Sequence, residues 1–213
     1  MKVVKHGHAC LRLVKDGRTL VIDPGAWTEP EVLEGADAVL VTHAHPDHVD
    51  QGALRAALAA NPDLHVWTNP SLVDAFEAPA GRVHPVEDGV RLEAAGFAIR
   101  AVGEWHAEIH RDVPRIHNVG FVVDDVLFHP GDALTFPATP VELLCVPLHG
   151  PWLRTGELVD WIRAVAPRRT LAIHDALLSE RGLGLMDRLL GPDGPGTGAS
   201  YVRLAVGESL EVD

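Results

Sequence analysis

Residues 42–50 read THAHPDHVD, a stretch that places four metal-binding side chains within six positions: His43, His45, Asp47 and His48. The apolar run directly before it, Ala38–Val41, predicts a buried strand that ends where these side chains begin. Imidazole nitrogens and carboxylate oxygens are ligands that zinc and similar metals accept. From extended backbone, His43 and His45 can point the same way, whereas neighbouring side chains such as Asp47 and His48 point apart. The stretch therefore predicts ligands for two metal ions.

Two ions need further ligands from other parts of the chain, and three candidates follow apolar runs. His106 lies in GEWHAEIH, Asp132 in HPGDAL, and His174 ends the run TLAIH. An ionisable side chain at the end of an apolar strand suits a site at one edge of a sheet. His110 competes with His106, because it would share a face with His106 in a helix and point away from it in extended backbone. We favour His106.

Composition limits the classes of protein to consider. The chain has 213 residues, 46% of them hydrophobic, which fits one domain over residues 1–213. Its 30 acidic and 18 basic side chains give a net charge of −12. A surface with this charge repels phosphate backbones, which argues against a nucleic-acid partner and favours a small-molecule substrate.

The sequence also bears on cellular location. Met1–His6 has no apolar continuation typical of a signal peptide, and no run approaches the ~20 apolar residues of a membrane span. Cys10 and Cys145 are far apart and lack a Cys-x-x-Cys pattern, so we expect two buried, reduced thiols. We therefore expect a cytoplasmic protein with no membrane partner.

Short strands and helices follow each other twice along the chain. The predicted strands are Lys2–His6, Ala9–Lys15, Thr19–Asp23, Asp37–Thr42, Leu64–Thr68, Arg82–His84, Val90–Glu93, Phe97–Val102, Val119–Val123, Val126–His129, Glu142–Val146, Thr170–His174 and two short ones after the loop 191–198. The predicted helices are Gly52–Ala60, Pro70–Glu77, Gly156–Ala166 and Leu177–Leu190. This order predicts an α/β fold, an αββα sandwich in which two mixed β-sheets pack face to face with helices on the outer faces.

At this point the chain resembles the metallo-β-lactamase-fold hydrolases, from about Val3 to about Ala176. The THAHPDH block matches their His-x-His-x-Asp-His motif, and VIDPG matches their strand-end aspartate, here Asp23. The segments GHACLRL, HPGD and IHD are most similar to a subgroup of small metal-dependent hydrolases related to ascorbate-6-phosphate lactonase.

The resemblance implies a ligand set and a mechanism. His43, His45 and His106 would hold the first ion, Asp47, His48 and His174 the second, and Asp132 would bridge them. Two divalent ions, Zn²⁺ by preference with Mn²⁺ or Fe²⁺ as alternatives, would share a hydroxide that attacks the substrate. Asp47 would orient this hydroxide as a catalytic residue. The competing interpretation is a group of surface histidines at a strand end.

Other residues take roles beside the ligands. The resemblance favours Asp23 as an acceptor for the free N–H of a ligand histidine, although Asp before Pro-Gly is also common in turns. His8 and His129 could each lie beside the metal ligands or be core histidines whose hydrogen bonds are satisfied within the protein.

Two loops are expected to set specificity. In PLHGPW, His149 is our candidate for the general acid, and Trp152 could narrow the pocket. The similar lactonases often have glycines in this stretch. The alternative is a loop histidine beside a packed tryptophan. Residues Arg111–His117 could bind an anionic part of the substrate or form a solvated loop.

We therefore predict a metal-dependent hydrolase that cleaves an ester, lactone, amide or phosphoester bond of a small, anionic molecule. A nuclease or phosphodiesterase of the same fold is one alternative, and a redox-active diiron or non-catalytic metal-binding protein is another. The sequence leaves homo-oligomer formation open.

Overall fold

The computed structural model describes residues 1–73, 75–76 and 81–212. Its strands in chain order are β1 (Lys2–Lys5), β2 (Leu11–Lys15), β3 (Arg18–Ile22), β4 (Ala38–Val41), β5 (His65–Thr68), β6 (Val83–Pro85), β7 (Arg91–Ala94), β8 (Phe97–Val102), β9 (Gly120–Val123), β10 (Leu127–His129), β11 (Leu143–Pro147), β12 (Arg169–Ile173), β13 (Ser200–Val202) and β14 (Ser209–Glu211). The helices are α1 (Gln51–Ala60), α2 (Pro70–Val73), α3 (Thr155–Val165) and α4 (Glu180–Leu190), with a short 3₁₀ helix over Pro30–Leu33.

The strands and α-helices agree with the predicted ones in place and type, whereas the 3₁₀ helix was not predicted. Strand ends shift by one or two residues, and two helices differ more. The predicted helix over Pro70–Glu77 is described as far as Val73, and residues 74 and 77–80 lie outside the described part of the chain. The helix predicted from Leu177 begins later, at Glu180, because the Ser179 side chain caps it by accepting a hydrogen bond from the Gly182 N–H.

The direction of the strands places many strand ends at one edge. One sheet has the order β14-β1-β2-β3-β4-β5-β6 and the other β13-β12-β11-β10-β9-β8-β7. Strands β3 to β6 are parallel, and so are β10 to β13. Two successive antiparallel pairings make β1 parallel to β3 and β8 parallel to β10. Within each sheet, the carboxyl ends of these parallel strands therefore lie together.

Three apolar layers confirm the predicted αββα sandwich. Alternate residues of β4 face opposite ways: Leu40 packs between the sheets, and Val39 packs against α1. On the outer face of the second sheet, Leu144 packs against α3 and α4. Strands buried on both faces explain the continuous apolar runs in the sequence.

The quoted stretch continues directly from strand to helix. Asp50, its last residue, caps α1 by accepting a hydrogen bond of 2.9 Å from the Ala53 N–H. Gly25 packs against the same loop so closely that a Cβ atom there would lie 1.9 Å from the Asp47 carbonyl oxygen. Residues 42–50 are thus held between β4, α1 and the loop after β3.

Two further expectations concern membrane-spanning helices and the two cysteines. Among the described residues, no helix is long and apolar enough to cross a membrane. Cys10 and Cys145 are both free and buried, and burial raises the pKa of each thiol. Both cysteines are therefore buried and form no disulfide, as expected.

Candidate metal centre

The ends of strands from both sheets bring the seven predicted ligand residues together. Together with His8, which was not predicted as a ligand, they fall into two groups of four, and in each group one ligand atom per residue lies within 4.8 Å of all the others. The first group is His43, His45, His106 and Asp132, and the second is His8, Asp47, His48 and His174. His110 is exposed and pairs with Asp112 at 3.5 Å, so His106 and not its competitor lies in this cluster.

Asp132 lies between the two groups. Its Oδ2 atom is 3.3 Å from His106 Nε2 and 3.2 Å from His174 Nε2, and its Oδ1 atom is 3.0 Å from His48 Nε2. One carboxylate thus approaches ligand atoms on both sides, which is the position that a bridging ligand needs. Its own backbone N–H donates to Asn118 Oδ1, 3.0 Å away, which holds the turn after His129 in place.

The donor atoms fit bound cations. Four buried ones have no hydrogen-bond partner among the described residues: His48 Nε2, His106 Nε2, Asp132 Oδ1 and His174 Nε2. Unpaired buried polar atoms of this kind are costly. Yet each of the three Nε2 atoms lies 3.0–3.3 Å from an oxygen atom of the Asp132 carboxylate without hydrogen-bond geometry. Ligands around a tetrahedral ion with bonds of 2.0–2.1 Å lie about 3.3 Å apart, so divalent ions would satisfy these atoms.

A chain of hydrogen bonds fixes which nitrogen of His43 faces the cluster. The Thr42 hydroxyl donates to Asp23 Oδ2 at 2.7 Å, so it can only accept from His43 Nδ1, 3.0 Å away. His43 Nδ1 therefore carries the proton, and its Nε2 atom presents a lone pair 3.1 Å from His45 Nδ1. Thr42 received no role from the sequence, although it is the first residue of the motif.

Asp23 and a backbone carbonyl fix two further histidines. His48 Nδ1 donates to Asp23 Oδ2 at 2.7 Å, the contact expected of this aspartate, and both side chains are fully buried. His106 Nδ1 donates to the Ala107 carbonyl oxygen at 2.6 Å. In both imidazoles the Nε2 atom is left free and faces the cluster. Asp23 is therefore an orienting residue, as the resemblance implied.

Arg115 has a structural role in the loop where anion binding was considered. Its guanidinium donates two hydrogen bonds, of 3.1 and 2.9 Å, to the carbonyl oxygen of His106. It also lies over the Trp105 ring, at 5.7 Å from the ring centre. Arg115 thus holds the backbone of a predicted ligand.

Charges within the cluster shift its protonation equilibria in opposite directions. Burial lowers the pKa of His43 well below its usual value, and the neighbouring His48 lowers it further. Burial would also lower the pKa of His48, but the carboxylates of Asp132 and Asp23 outweigh this effect and raise it well above its usual value. Burial would raise the pKa of Asp132, but nearby imidazoles, His48 foremost, hold it well below the usual range.

His129 is a satisfied core histidine, one of the two roles that the sequence left open. Its Nε2 atom donates to the Ala9 carbonyl oxygen at 2.8 Å, and its Nδ1 atom accepts from the Gly131 N–H at 3.2 Å. It therefore ties the turn that carries Asp132 to the loop after β1.

Trp152 contacts the centre directly. Its indole Nε1 donates to Asp132 Oδ2 at 3.1 Å, and its side chain is almost fully buried. The indole lies against Gly150, where a Cβ atom would come within 2.6 Å of Nε1. Gly150 therefore permits this position, which the sequence suggested only as a place near the pocket mouth.

A cleft of about 490 Å³ lies beside Trp152. Its walls are residues 108–111 on one side and residues 151–154 with Glu157 on the other. Of the two loops from which specificity was expected, Arg111–His117 contributes Arg111 and His149–Trp152 contributes Pro151 and Trp152, and the other lining residues lie outside both. His149 follows β11 in the same loop and is half-buried. No hydrogen bond or ion pair of its ring is found within the described part of the chain, and its role as general acid stays a prediction.

Comparisons with known proteins agree with this architecture. Residues 2–174 match the family model described as beta-lactamase superfamily domain. Protein Rv0786c of Mycobacterium tuberculosis is 38% identical over 192 residues, which cover 87% of this chain and 89% of that protein. A UPF0173 metal-dependent hydrolase of Thermoplasma acidophilum is 27% identical over 189 residues, 82% of this chain and 83% of its own.

A solved structure shows the same fold. Igni18, a metallo hydrolase from Ignicoccus hospitalis, superposes with a TM-score of 0.72 over 100% of this chain and 99% of its own, at 15% identity. At this identity the likeness concerns the fold alone. None of these relatives identifies the lactonase-like subgroup that the sequence favoured.

Proposed function

We propose a mechanism from the premise that this chain belongs to the family described as beta-lactamase superfamily domain. It is a metal-dependent hydrolase of the metallo-β-lactamase fold. In this proposal the clustered side chains hold two divalent metal ions. The enzyme then hydrolyses an ester, lactone, amide or phosphoester bond of a small, anionic molecule. The observation that carries this proposal is the set of three buried, unpartnered imidazole nitrogens that each lie 3.0–3.3 Å from an oxygen atom of the Asp132 carboxylate.

The proposed ligands form two half-sites. The first half-site is His43, His45 and His106, and the second half-site is Asp47, His48 and His174, with Asp132 shared between them. The first has only imidazole ligands, which suit Zn²⁺, Mn²⁺ or Fe²⁺, and we propose Zn²⁺ because it accepts mixed nitrogen and oxygen ligands without a geometric preference. When bound, two such ions lower the pKa of coordinated water and polarise the bond to be cleaved.

Asp47 is the proposed orienting residue for the attacking water. Burial would raise its pKa, but the nearby imidazoles of His174 and His8 outweigh this effect and hold it well below the usual range. The side chain therefore stays a carboxylate, able to accept a hydrogen bond at neutral pH. It is still 18% exposed, so water from solvent can reach it. His149 is proposed to protonate the leaving group.

The cleft beside Trp152 is the proposed substrate pocket. Arg111 and Arg154 lie on its opposite walls, and their ion pairs, 3.9 Å to Asp112 and 3.5 Å to Glu157, are long and exposed. Exposed pairs of this kind contribute little, so both guanidinium groups can turn to an anionic ligand. Glu108 and Glu157 also line the cleft, which favours a ligand small enough to reach the arginines without contacting both acids.

We further propose that residues 1–213 form one domain of a cytosolic enzyme that acts on a small molecule. The pairing of β14 with β1 supports a single domain, because it joins the last described strand to the first. The net charge of −12 favours a small-molecule substrate over a nucleic acid.

Elemental analysis of the native protein, combined with a screen of phosphodiesters, lactones and esters, tests the proposal. We expect about two divalent ions per chain and hydrolysis of at least one substrate class. Asp132→Ala and His48→Ala should lose both bound metal and turnover, whereas His110→Ala, an exposed histidine that is not a proposed ligand, should keep the bound metal. Full hydrolysis by metal-stripped protein contradicts the proposal, and redox turnover without hydrolysis favours the diiron alternative.

A further inference from the structure

His8 lies among the ligands of the second half-site, but its hydrogen bonds differ from theirs. Its Nε2 atom is 3.1 Å from Asp47 Oδ2, and its Nδ1 atom is 3.2 Å from the backbone nitrogen of Ala176. His8 is close enough to Asp47, His48 and His174 to be a ligand itself. His8 can therefore be either a metal ligand or a hydrogen-bond donor to Asp47, and the ring nitrogen that carries the proton decides between these two roles.

The Ala176 contact determines the tautomer. A backbone N–H can only donate, so His8 Nδ1 accepts and the ring proton lies on Nε2. An Nε2 atom that carries a proton has no lone pair for a metal ion, but it can donate to a carboxylate. Resting on the metal centre proposed above, we propose that His8 is a positioning residue that binds no metal and holds Asp47 in place by donating to its Oδ2 atom.

The packing around His8 holds its ring in one orientation. The side chain is fully buried, its ring centre lies 3.9 Å from that of His174, and the Trp27 indole meets it edge-on at 4.7 Å. The preceding Gly7 allows this approach, since a Cβ atom there would lie 2.0 Å from the Trp27 carbonyl oxygen. Contacts with these two neighbouring rings therefore restrain rotation of the His8 side chain.

Lys5 contacts the chain on both sides of the packing between the His8 and His174 rings. Its buried ammonium donates to the His8 carbonyl oxygen at 2.7 Å and lies 3.4 Å from Asp175 Oδ1, next to the proposed ligand His174. His8 itself has a φ of 56°, a left-handed conformation that few residue types adopt easily. The segment that ends β1 thus contacts two proposed ligands: Asp47 through the His8 side chain, and His174 through its neighbour Asp175.

The unmodified protein gives the first test. In ¹⁵N-labelled protein loaded with ¹¹³Cd²⁺ alone, the proposed ligand histidines should show coupling between ring nitrogen and cadmium: His43, His45, His48, His106 and His174. His8 should show no such coupling and should keep a proton on Nε2. Coupling at His8 Nε2, or a missing proton there, overturns the inference. A chain that takes up no cadmium at all contradicts the proposed metal centre, and the role of His8 falls with it.

Two variants test what the hydrogen bond does. His8→Phe keeps a ring between Trp27 and His174 but removes the donor, and should lower the cadmium affinity of the second half-site by about 10–100-fold while the first half-site is unchanged. His8→Gln restores a donor and should recover part of the loss; both variants share the same backbone strain. Wild-type affinity in a folded His8→Phe protein contradicts the inference.

A third variant controls for the general effect of removing a buried histidine. His129→Phe removes a fully buried imidazole whose hydrogen bonds, among the described residues, go to backbone groups and whose Nδ1 atom lies 3.9 Å from Asp23; it should lower stability without a selective loss at the second half-site. If His8→Phe does not fold, the ¹¹³Cd spectrum of the wild-type protein decides the question alone.

Discussion

The Trp152 indole donates a hydrogen bond of 3.1 Å to Asp132 Oδ2, the oxygen atom that also lies within 3.3 Å of both His106 Nε2 and His174 Nε2. Trp152 therefore joins the wall of the proposed substrate pocket to the carboxylate shared by both half-sites. Groups that bond to a metal ligand from outside commonly tune its metal affinity.

Replacement of Trp152 by Phe keeps an aromatic wall but removes this donor. We expect the affinity for metal to fall by about 10–100-fold, because Asp132 loses one of the contacts that orient it. Titration with Zn²⁺ against a chromogenic chelator measures the change. Trp161→Phe is the matched control, since the Trp161 indole is also buried but donates to the Thr135 carbonyl oxygen. Equal affinities in the two variants would contradict the prediction.

Acid should remove metal from the second half-site first. The pKa of His48 and that of His174 are raised above the usual value of about 6.5, so protons compete with metal for these nitrogens already above that pH. The pKa of His43 and that of His45 are lowered, mainly by burial, and these nitrogens stay free of protons to lower pH. Metal content measured after dialysis at decreasing pH should fall in two steps, with Co²⁺ spectra identifying the half-site. Simultaneous loss, or earlier loss from the first half-site, contradicts this order.

Gly25→Ala should disrupt the ligand loop. Its Cβ atom would lie 1.9 Å from the Asp47 carbonyl oxygen, so the backbone that carries Asp47 must move. Overpacking of this kind costs about 1–3 kcal/mol in the free energy of unfolding, and we expect metal at the second half-site to be lost as well. Denaturation with urea and metal analysis measure both effects.

Gly184→Ala is the control for this change. Gly184 lies inside α4 with no atom within 4 Å of an added Cβ, so the same substitution should stabilise the helix by about 0.5–1 kcal/mol. A Gly25→Ala protein with unchanged stability and metal content would show that the loop can move without consequence.

Removal of the two pocket arginines should affect anionic substrates selectively. Arg111→Leu combined with Arg154→Leu should reduce kcat/KM for an anionic substrate by about 10-fold or more, because hydrogen bonds to charged groups contribute about 1.5–3 kcal/mol. A neutral ester of similar size should be affected far less. Arg18→Leu, an exposed arginine paired with Asp37, is the control for loss of charge. Equal effects on both substrates would place the anionic group elsewhere.

The sequence predicted the architecture and the residues that cluster, because both depend on local patterns. Apolar runs identify strands, and an ionisable residue such as His174 at the end of a run identifies the edge where strand ends meet. The division of His43 and His45 from Asp47 and His48 follows from side-chain directions in a short stretch. The structure separates these pairs in the same way.

The contacts that orient the ligands could not be predicted in this way. Trp152 bonds to Asp132 across 20 residues of sequence, and His8 approaches Asp47 across 39 and Ala176 across 168. No periodicity relates residues so far apart. Only the packing of the two sheets brings them together, and a backbone N–H such as that of Ala176 leaves no trace in the residue type.

The position of Asp23 has a consequence for both half-sites. Its Oδ2 atom accepts from His48 in the second half-site and, through the Thr42 hydroxyl, determines the tautomer of His43 in the first. Loss of the Asp23 carboxylate would therefore release one ligand histidine in each half-site at once. Asp23→Asn is expected to weaken metal binding at both half-sites, unlike a change at His8, which should affect the second half-site alone.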